Sequence, residues 1–237
     1  MINIQSLNKN YGKQTVLKDI NLSFKSGQSI ALIGPNGSGK TTLIKIILGL
    51  VIADSGSIYV HEKDIRTGPD YRREIGYMPQ MSRFPEQMKV LQLFRLMKDM
   101  RPDVPEDKYD LTLYESLKID KIKNKNLGSL SGGMKQQVSA ALAYYFNPSI
   151  LILDEPTAAL DPLSNEILKT KIRESLTQNK LIITTSHILN DLEEICNHVV
   201  YLMEGRMVFN ESIEALKEKT SENKLNKMVV ALLQKNR

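Results

Sequence analysis

Apolar and polar residues alternate through Ile2–Leu7 and again through Val16–Phe24, with a turn at Tyr11-Gly12 between the two runs. A two-residue period of this kind predicts strands that bury one face. Ser29–Ile33 is a short apolar run bounded by turn signals, hence a buried strand, and Lys40–Leu50 has helical spacing and stops around a glycine. Ser57–Val60 and Ile75–Met78 read as further strands. Between Gln80 and Ser149 the period changes: Val90–Met100, Lys108–Leu117 and Met134–Phe146 carry helical spacing, and β-rich runs vanish. From Ile150 the strands Ile150–Leu153, Leu181–Thr185 and His198–Met203 alternate with helical stretches Leu163–Leu176 and Ile188–Ile195. Such alternation predicts a mainly parallel sheet with helices on its faces. After Arg206 come one more strand and one or two polar helices, Ser212–Lys219 and Leu225–Gln234.

Composition narrows the picture without redirecting it. With 41% hydrophobic and 25% charged residues the chain is of ordinary globular type, and its 237 residues suffice for one sizeable core. No apolar run reaches the roughly 20 residues of a membrane-spanning helix; the longest, Ile44–Ile52, is broken by Gly49. The N-terminal segment lacks the layout of a signal peptide, so a soluble, cytoplasmic protein is expected. Cys196 is the only cysteine, which excludes an internal disulfide and a cysteine-rich zinc site; it reads as a small apolar residue inside a helix. The net charge of +5 is spread along the chain, mildly denser in Lys118–Lys125 and from Lys217 to Arg237. Neither stretch has the interleaved aromatics of a single-strand binder, so no nucleic-acid partner is expected.

Two segments carry chemistry. Gly34-Pro35-Asn36-Gly37-Ser38-Gly39-Lys40-Thr41 fits G-x-x-x-x-G-K-[ST] and lies between a strand and a helix. Its glycines let backbone N–H groups converge on phosphates, and the helix that begins near Lys40 points its positive end at them. Lys40 adds a point charge for the β- and γ-phosphates, and Thr41, followed by Thr42, offers a hydroxyl to Mg²⁺. The second segment is the apolar strand ending in Asp154-Glu155. Adjacent acids at that position stand at the carboxyl edge of the sheet, where open α/β sheets bind ligands. Asp154 suits Mg²⁺ held through water, and Glu155 suits polarisation of an attacking water.

With Leu130-Ser131-Gly132-Gly133-Met134 added to these, the chain resembles the ATP-binding-cassette (ABC) ATPase family over nearly all its length. The family's signature usually ends in glutamine where Met134 stands, a departure familiar among exporter-like members. Ser131 also reads as a helix N-cap, with the helix Gly132–Phe146 behind it. The resemblance implies that Ser131, Gly132 and Gly133 face the γ-phosphate of ATP held by an opposing subunit. It further likens Tyr11 to the aromatic that stacks on adenine, and Gln80 to the loop glutamine that senses Mg²⁺ and the attacking water. Asp161, in Ala159-Leu160-Asp161, is similar to the loop that couples the two sites of a dimer, and His187 to the switch histidine. His61 and His198 read as incidental. The implied fold is a P-loop NTPase: an α/β domain with a mainly parallel core at about 1–80 and 150–210, an N-terminal antiparallel β subdomain, a helical insertion at about 81–149 and a helical tail at about 211–237.

The resemblance implies ATP and Mg²⁺ as ligands and an ATP-dependent dimer, with itself or a paralogue. It also implies transmembrane permease subunits as partners at the inner face of the membrane, with export favoured over uptake. A groove running from Gln80 to about Met100, with Met81, Phe84, Pro85 and Met88, is the expected docking surface. The methionines at 78, 81, 88, 97 and 100 read as fillers of irregular packing rather than as Cu(I) ligands. A single-cassette ATPase of iron–sulfur assembly is the alternative that the length allows.

Overall fold

The computed structural model describes residues 1–186 and 188–235. The chain begins with an antiparallel hairpin, β1 (Ile2–Tyr11) and β2 (Gln14–Phe24), and runs through β3 (Ser29–Ile33) into α1 (Lys40–Ile47). Strands β4 (Ser55–Val60) and β5 (Lys63–Asp64) return to the hairpin, giving a four-stranded antiparallel sheet in the order β2-β1-β4-β5. β6 (Ile75–Met78) then enters a second sheet. The insertion follows with α2 (Val90–Asp99), α3 (Thr112–Ser116) and α4 (Gly132–Tyr144). β7 (Ile150–Asp154), α5 (Pro162–Thr177), β8 (Leu181–Thr185), α6 (Leu189–Glu193) and β9 (His198–Met203) restore the alternation. β10 (Arg206–Ser212), α7 (Ile213–Thr220) and α8 (Leu225–Lys235) end the described chain.

The second sheet has the order β10-β9-β3-β8-β7-β6 and is parallel except at β10, which pairs antiparallel with β9. Strands β3, β7 and β8 are buried at every position, as near-continuous apolar runs in a parallel sheet require. Alternate side chains feed two cores: Ile150 and Ile152 pack with α1 and the antiparallel sheet, whereas Leu151 and Leu153 pack with the insertion, α5 and the C-terminal helices. The order β3-β8-β7 places the carboxyl ends of three buried strands side by side, so the loops after Ile33, Asp154 and Thr185 open on one edge.

The predicted α/β architecture is the observed one, with local differences. α1 stops at Ile47 rather than at Leu50, because Gly49 turns left-handed (φ +66°) and Leu50 N–H closes back on Lys45 O at 2.8 Å. The helix expected over Lys108–Leu117 shrinks to the five residues of α3: Asp110 accepts from Thr112 N–H at 3.1 Å, a side-chain bond that competes with earlier helical turns. Cys196 follows α6 instead of lying in it, buried, with its thiol pushed up to about 12 by desolvation.

Candidate nucleotide site

At the edge described above, the loop between β3 and α1 folds over a cleft of about 470 Å³. Every residue from Asn36 to Thr42 lines it, together with Gln80, Asp154 and Glu155, so the two chemical segments of the sequence and the loop glutamine do converge. A volume of this size falls in the range of small-molecule and cofactor sites. Gly39 sits at φ +105°, and a Cβ there would come within 2.8 Å of Val16 O, so the turn into α1 admits only glycine. Gly34 and Pro35 do not line the cleft; their carbonyls accept from Lys40 Nζ at 2.8 and 3.1 Å, which lays the lysine back across the loop. Burial lowers the Lys40 pKa, and the nearby Glu155 and Asp154 offset part of that effect.

A test of fit comes from Ser38, whose hydroxyl is buried in the wall of the cleft and has no hydrogen-bond partner among the described residues. An unpartnered buried hydroxyl is costly, and phosphate oxygens at this position would satisfy it. The lining of the cleft includes the Thr41 hydroxyl, the Gln80 amide oxygen and the Asp154 carboxylate, oxygen ligands of the kind a hard cation such as Mg²⁺ takes.

The acids are held by a residue that sequence reasoning missed. Asp154 and Thr185 are paired across β7 and β8, and the Thr185 hydroxyl donates to Asp154 Oδ1 at 2.5 Å. Glu155 N–H donates to both the carbonyl and the hydroxyl of Thr185, each at 3.1 Å. Glu155 itself is left-handed, with φ +54°, a conformation that costs a non-glycine residue about 1–3 kcal/mol. Gln14, also missed, lines the cleft from the start of β2.

Other expected residues stand around this centre. Tyr11 is 49% exposed and does not line the cleft, although Gln14, its partner across the hairpin, does. Ser131 caps α4 by accepting from Met134 N–H at 3.2 Å, as its helix N-cap reading requires. None of Ser131, Gly132 and Gly133 lines the cleft; Ser131 and Gly132 face solvent. Asp161 caps α5, accepting from Leu163 and Ser164 N–H at 3.1 Å each, and the Ser164 hydroxyl together with these bonds lowers its pKa. Gln137 Nε2 donates to Ser164 Oγ at 2.8 Å, so the helix behind Ser131 is fastened beside Asp161. His187 lies outside the described residues. His61 is paired with Ser149 and His198 with Gln28, both far from the cleft in the fold.

A second concavity, of about 490 Å³, opens between the sheet core and the insertion. Phe84 lines it with Tyr77, Met97, Met100, Leu142 and Phe146, as do Arg83 and Arg101. Met81 and Pro85 are exposed, while Met88 packs into the insertion. Met78 is fully buried in the core.

Comparison with known proteins accords with this geometry. A family model described as "ABC transporter" matches residues 17–158. The lantibiotic transport ATP-binding protein SrtF of Streptococcus pyogenes is 32% identical over 215 residues, 90% of this chain and 92% of that protein. The Nod factor export ATP-binding protein I of Burkholderia orbicola (strain AU 1054) is 31% identical over 221 residues, 92% of this chain and 72% of that protein. Among solved structures, one described as the ATP binding subunit of an ABC transporter superposes with a TM-score of 0.91 at 28% identity, covering 98% of this chain and 99% of the other. The dimeric structure of a bacterial ABC transporter cassette, MJ0796, gives a TM-score of 0.78 at 25% identity, covering 90% and 99%.

Proposed function

This chain belongs to the ABC transporter family as one of its ATPases, and from that premise we propose that two copies close around two ATP molecules to power export through separate transmembrane subunits. One observation carries the dimer. The cleft holds the phosphate loop, Gln80 and both acids, yet Ser131 and Gly132 face solvent outside it. A capped helix N-terminus is an anion site, and α4 offers its own to a ligand that its own cleft does not deliver. Two copies arranged head to tail supply each nucleotide with both faces through an isologous interface.

In this reading the N–H groups of the loop 36–42 and Lys40 hold the triphosphate, with the adenine near Tyr11 and Gln14. Thr41, Asp154 and Gln80 hold Mg²⁺ and its waters; when bound, the cation neutralises charge on the β- and γ-phosphates. Glu155 polarises the attacking water, and His187 contacts the γ-phosphate. Hydrolysis then removes charge from the seam and lets it open, a motion that partners convert into work.

The groove lined by Phe84, Met97 and Met100 is the docking surface for a transmembrane partner, which places the protein at the inner face of the membrane. The relatives named for lantibiotic transport and Nod factor export support transport as the task and export as its direction. Among the described residues no helix is long and apolar enough to cross a membrane, consistent with a pathway supplied by other subunits. Substitution Phe84→Asp is expected to leave ATP affinity about unchanged, by calorimetry, and to abolish copurification with the transmembrane partner that the parent chain retains. Undiminished copurification contradicts docking at this groove.

A further inference from the structure

We propose that Thr185 is the positioning residue of the hydrolytic centre, a single hydroxyl that sets Asp154 and Glu155 relative to each other. The proposal deepens the functional reading above and rests on the roles given there to the two acids. A hydroxyl has one proton to give and two lone pairs to offer. Asp154 and the Glu155 N–H fix how they are used: the carboxylate can only accept, so the proton goes to Asp154 Oδ1 at 2.5 Å, and a lone pair takes the Glu155 N–H at 3.1 Å. Thr185 is 1% exposed, ends the fully buried strand β8 and lines the cleft, so its hydroxyl has little freedom to turn elsewhere.

Two consequences follow for the chemistry. With Oδ1 engaged, Asp154 keeps Oδ2 for the shell of a cation held with Thr41. The left-handed bend at Glu155 is anchored at its N–H by two acceptors of one residue, the carbonyl and the hydroxyl of Thr185. Loss of the hydroxyl removes one of the two Thr185 acceptors that hold the Glu155 N–H, and it removes the donor that orients the Asp154 carboxylate. Misplacement of reacting groups by a fraction of an ångström to an ångström costs rate while leaving distant binding contacts intact.

The neighbouring residue provides an internal control. Thr184 is also fully buried near the end of β8, but its hydroxyl has no partner among the described residues. Replacing each threonine by the isosteric valine therefore removes the same atoms from the same strand, with and without the two hydrogen bonds.

The experiment measures steady-state ATP hydrolysis and nucleotide binding for the full chain and for Thr185→Val, Thr185→Ser and Thr184→Val. Expected for Thr185→Val are a fall in kcat of about tenfold or more with KM for ATP within about twofold, and, by calorimetry, a smaller gain in ATP affinity on adding Mg²⁺. Thr185→Ser, which keeps the hydroxyl, restores kcat to within about threefold of the parent chain, and Thr184→Val matches the parent in both measurements. An active parent chain with Thr185→Val equally active, or with Thr185→Ser as impaired as Thr185→Val, overturns the proposal alone. A parent chain that binds and hydrolyses no ATP overturns the functional reading, and the proposal with it.

Discussion

Nζ of Lys171 lies 2.7 Å from Oδ2 of Asp110, with 6% and 9% of the two side chains exposed. Lys171 is on α5 of the core and Asp110 stands just before α3 of the insertion, so one buried ion pair joins the two parts of the molecule. Lys171 also donates to Thr112 Oγ1 at 3.1 Å, which ties the same ammonium to the first residue of α3. Removal of one partner strands the other: Lys171→Met is expected to cost about 3–5 kcal/mol in urea denaturation, because a carboxylate is left buried without its cation. A loss under about 1 kcal/mol contradicts the role assigned to the pair.

The same pair sets a pH dependence. Burial pushes the Asp110 carboxyl upward, but Lys171 and Thr112 outweigh it and hold the value below the usual 3.8. Because the folded value is the lower one, the stabilisation is complete above the ordinary carboxylate range and is lost as pH falls through the folded value. In Lys171→Met burial is opposed only by the Thr112 bonds and no longer by the Lys171 ammonium, so protonation of Asp110 relieves the defect. The stability gap between parent and variant is expected to narrow as pH drops from 6 towards 3. A gap that is constant or widens over that range contradicts this assignment.

The two signature glycines make opposite demands. A Cβ on Gly133 would meet Ala159 O at 2.8 Å, whereas a Cβ on Gly132 meets nothing within 4 Å. Packing within one chain therefore explains Gly133 but not Gly132, which the proposed function turns towards a second copy and its nucleotide. Gly132→Val is expected to keep the thermal midpoint within about 3 °C and ATP affinity within about twofold, while ATP hydrolysis falls at least about tenfold. Hydrolysis at the parent rate contradicts a partner-facing role for this residue.

Lys40→Ala tests the cradle from the other side. The ammonium folds over the carbonyls of Gly34 and Pro35 and lines the cleft. Hydrogen bonds to charged groups contribute about 1.5–3 kcal/mol, so ATP affinity is expected to weaken about 10- to 100-fold. Unchanged affinity in calorimetry contradicts the phosphate contact.

Much of this was readable from the residues alone, and for identifiable reasons. Ser29–Ile33, Ile75–Met78, Leu181–Thr185 and His198–Met203 were placed to the residue, since short apolar runs bounded by turns have little freedom in where they start and stop. The phosphate loop and the acids line one cleft because both follow directly from the ends of buried strands. Asp110 defeated the helix drawn over Lys108–Leu117, since a side chain that caps Thr112 leaves no trace in periodicity. Thr185 was invisible for a related reason: threonine is an ordinary strand former, and only the register of β7 against β8 shows that its hydroxyl faces Asp154. Gln137 likewise gains its meaning from Ser164, a residue of a different helix.

The most direct test of the account uses Glu155→Gln, which keeps the shape of the side chain while removing the carboxylate proposed to polarise water. Light scattering with saturating Mg·ATP is expected to show twice the mass of the single chain, with the nucleotide recovered as ATP after many parent turnover times, and the mass should return to that of one chain when Gly132→Val is added. A single-chain mass at saturating Mg·ATP, or hydrolysis at the parent rate, would contradict the closure of two copies around their nucleotides.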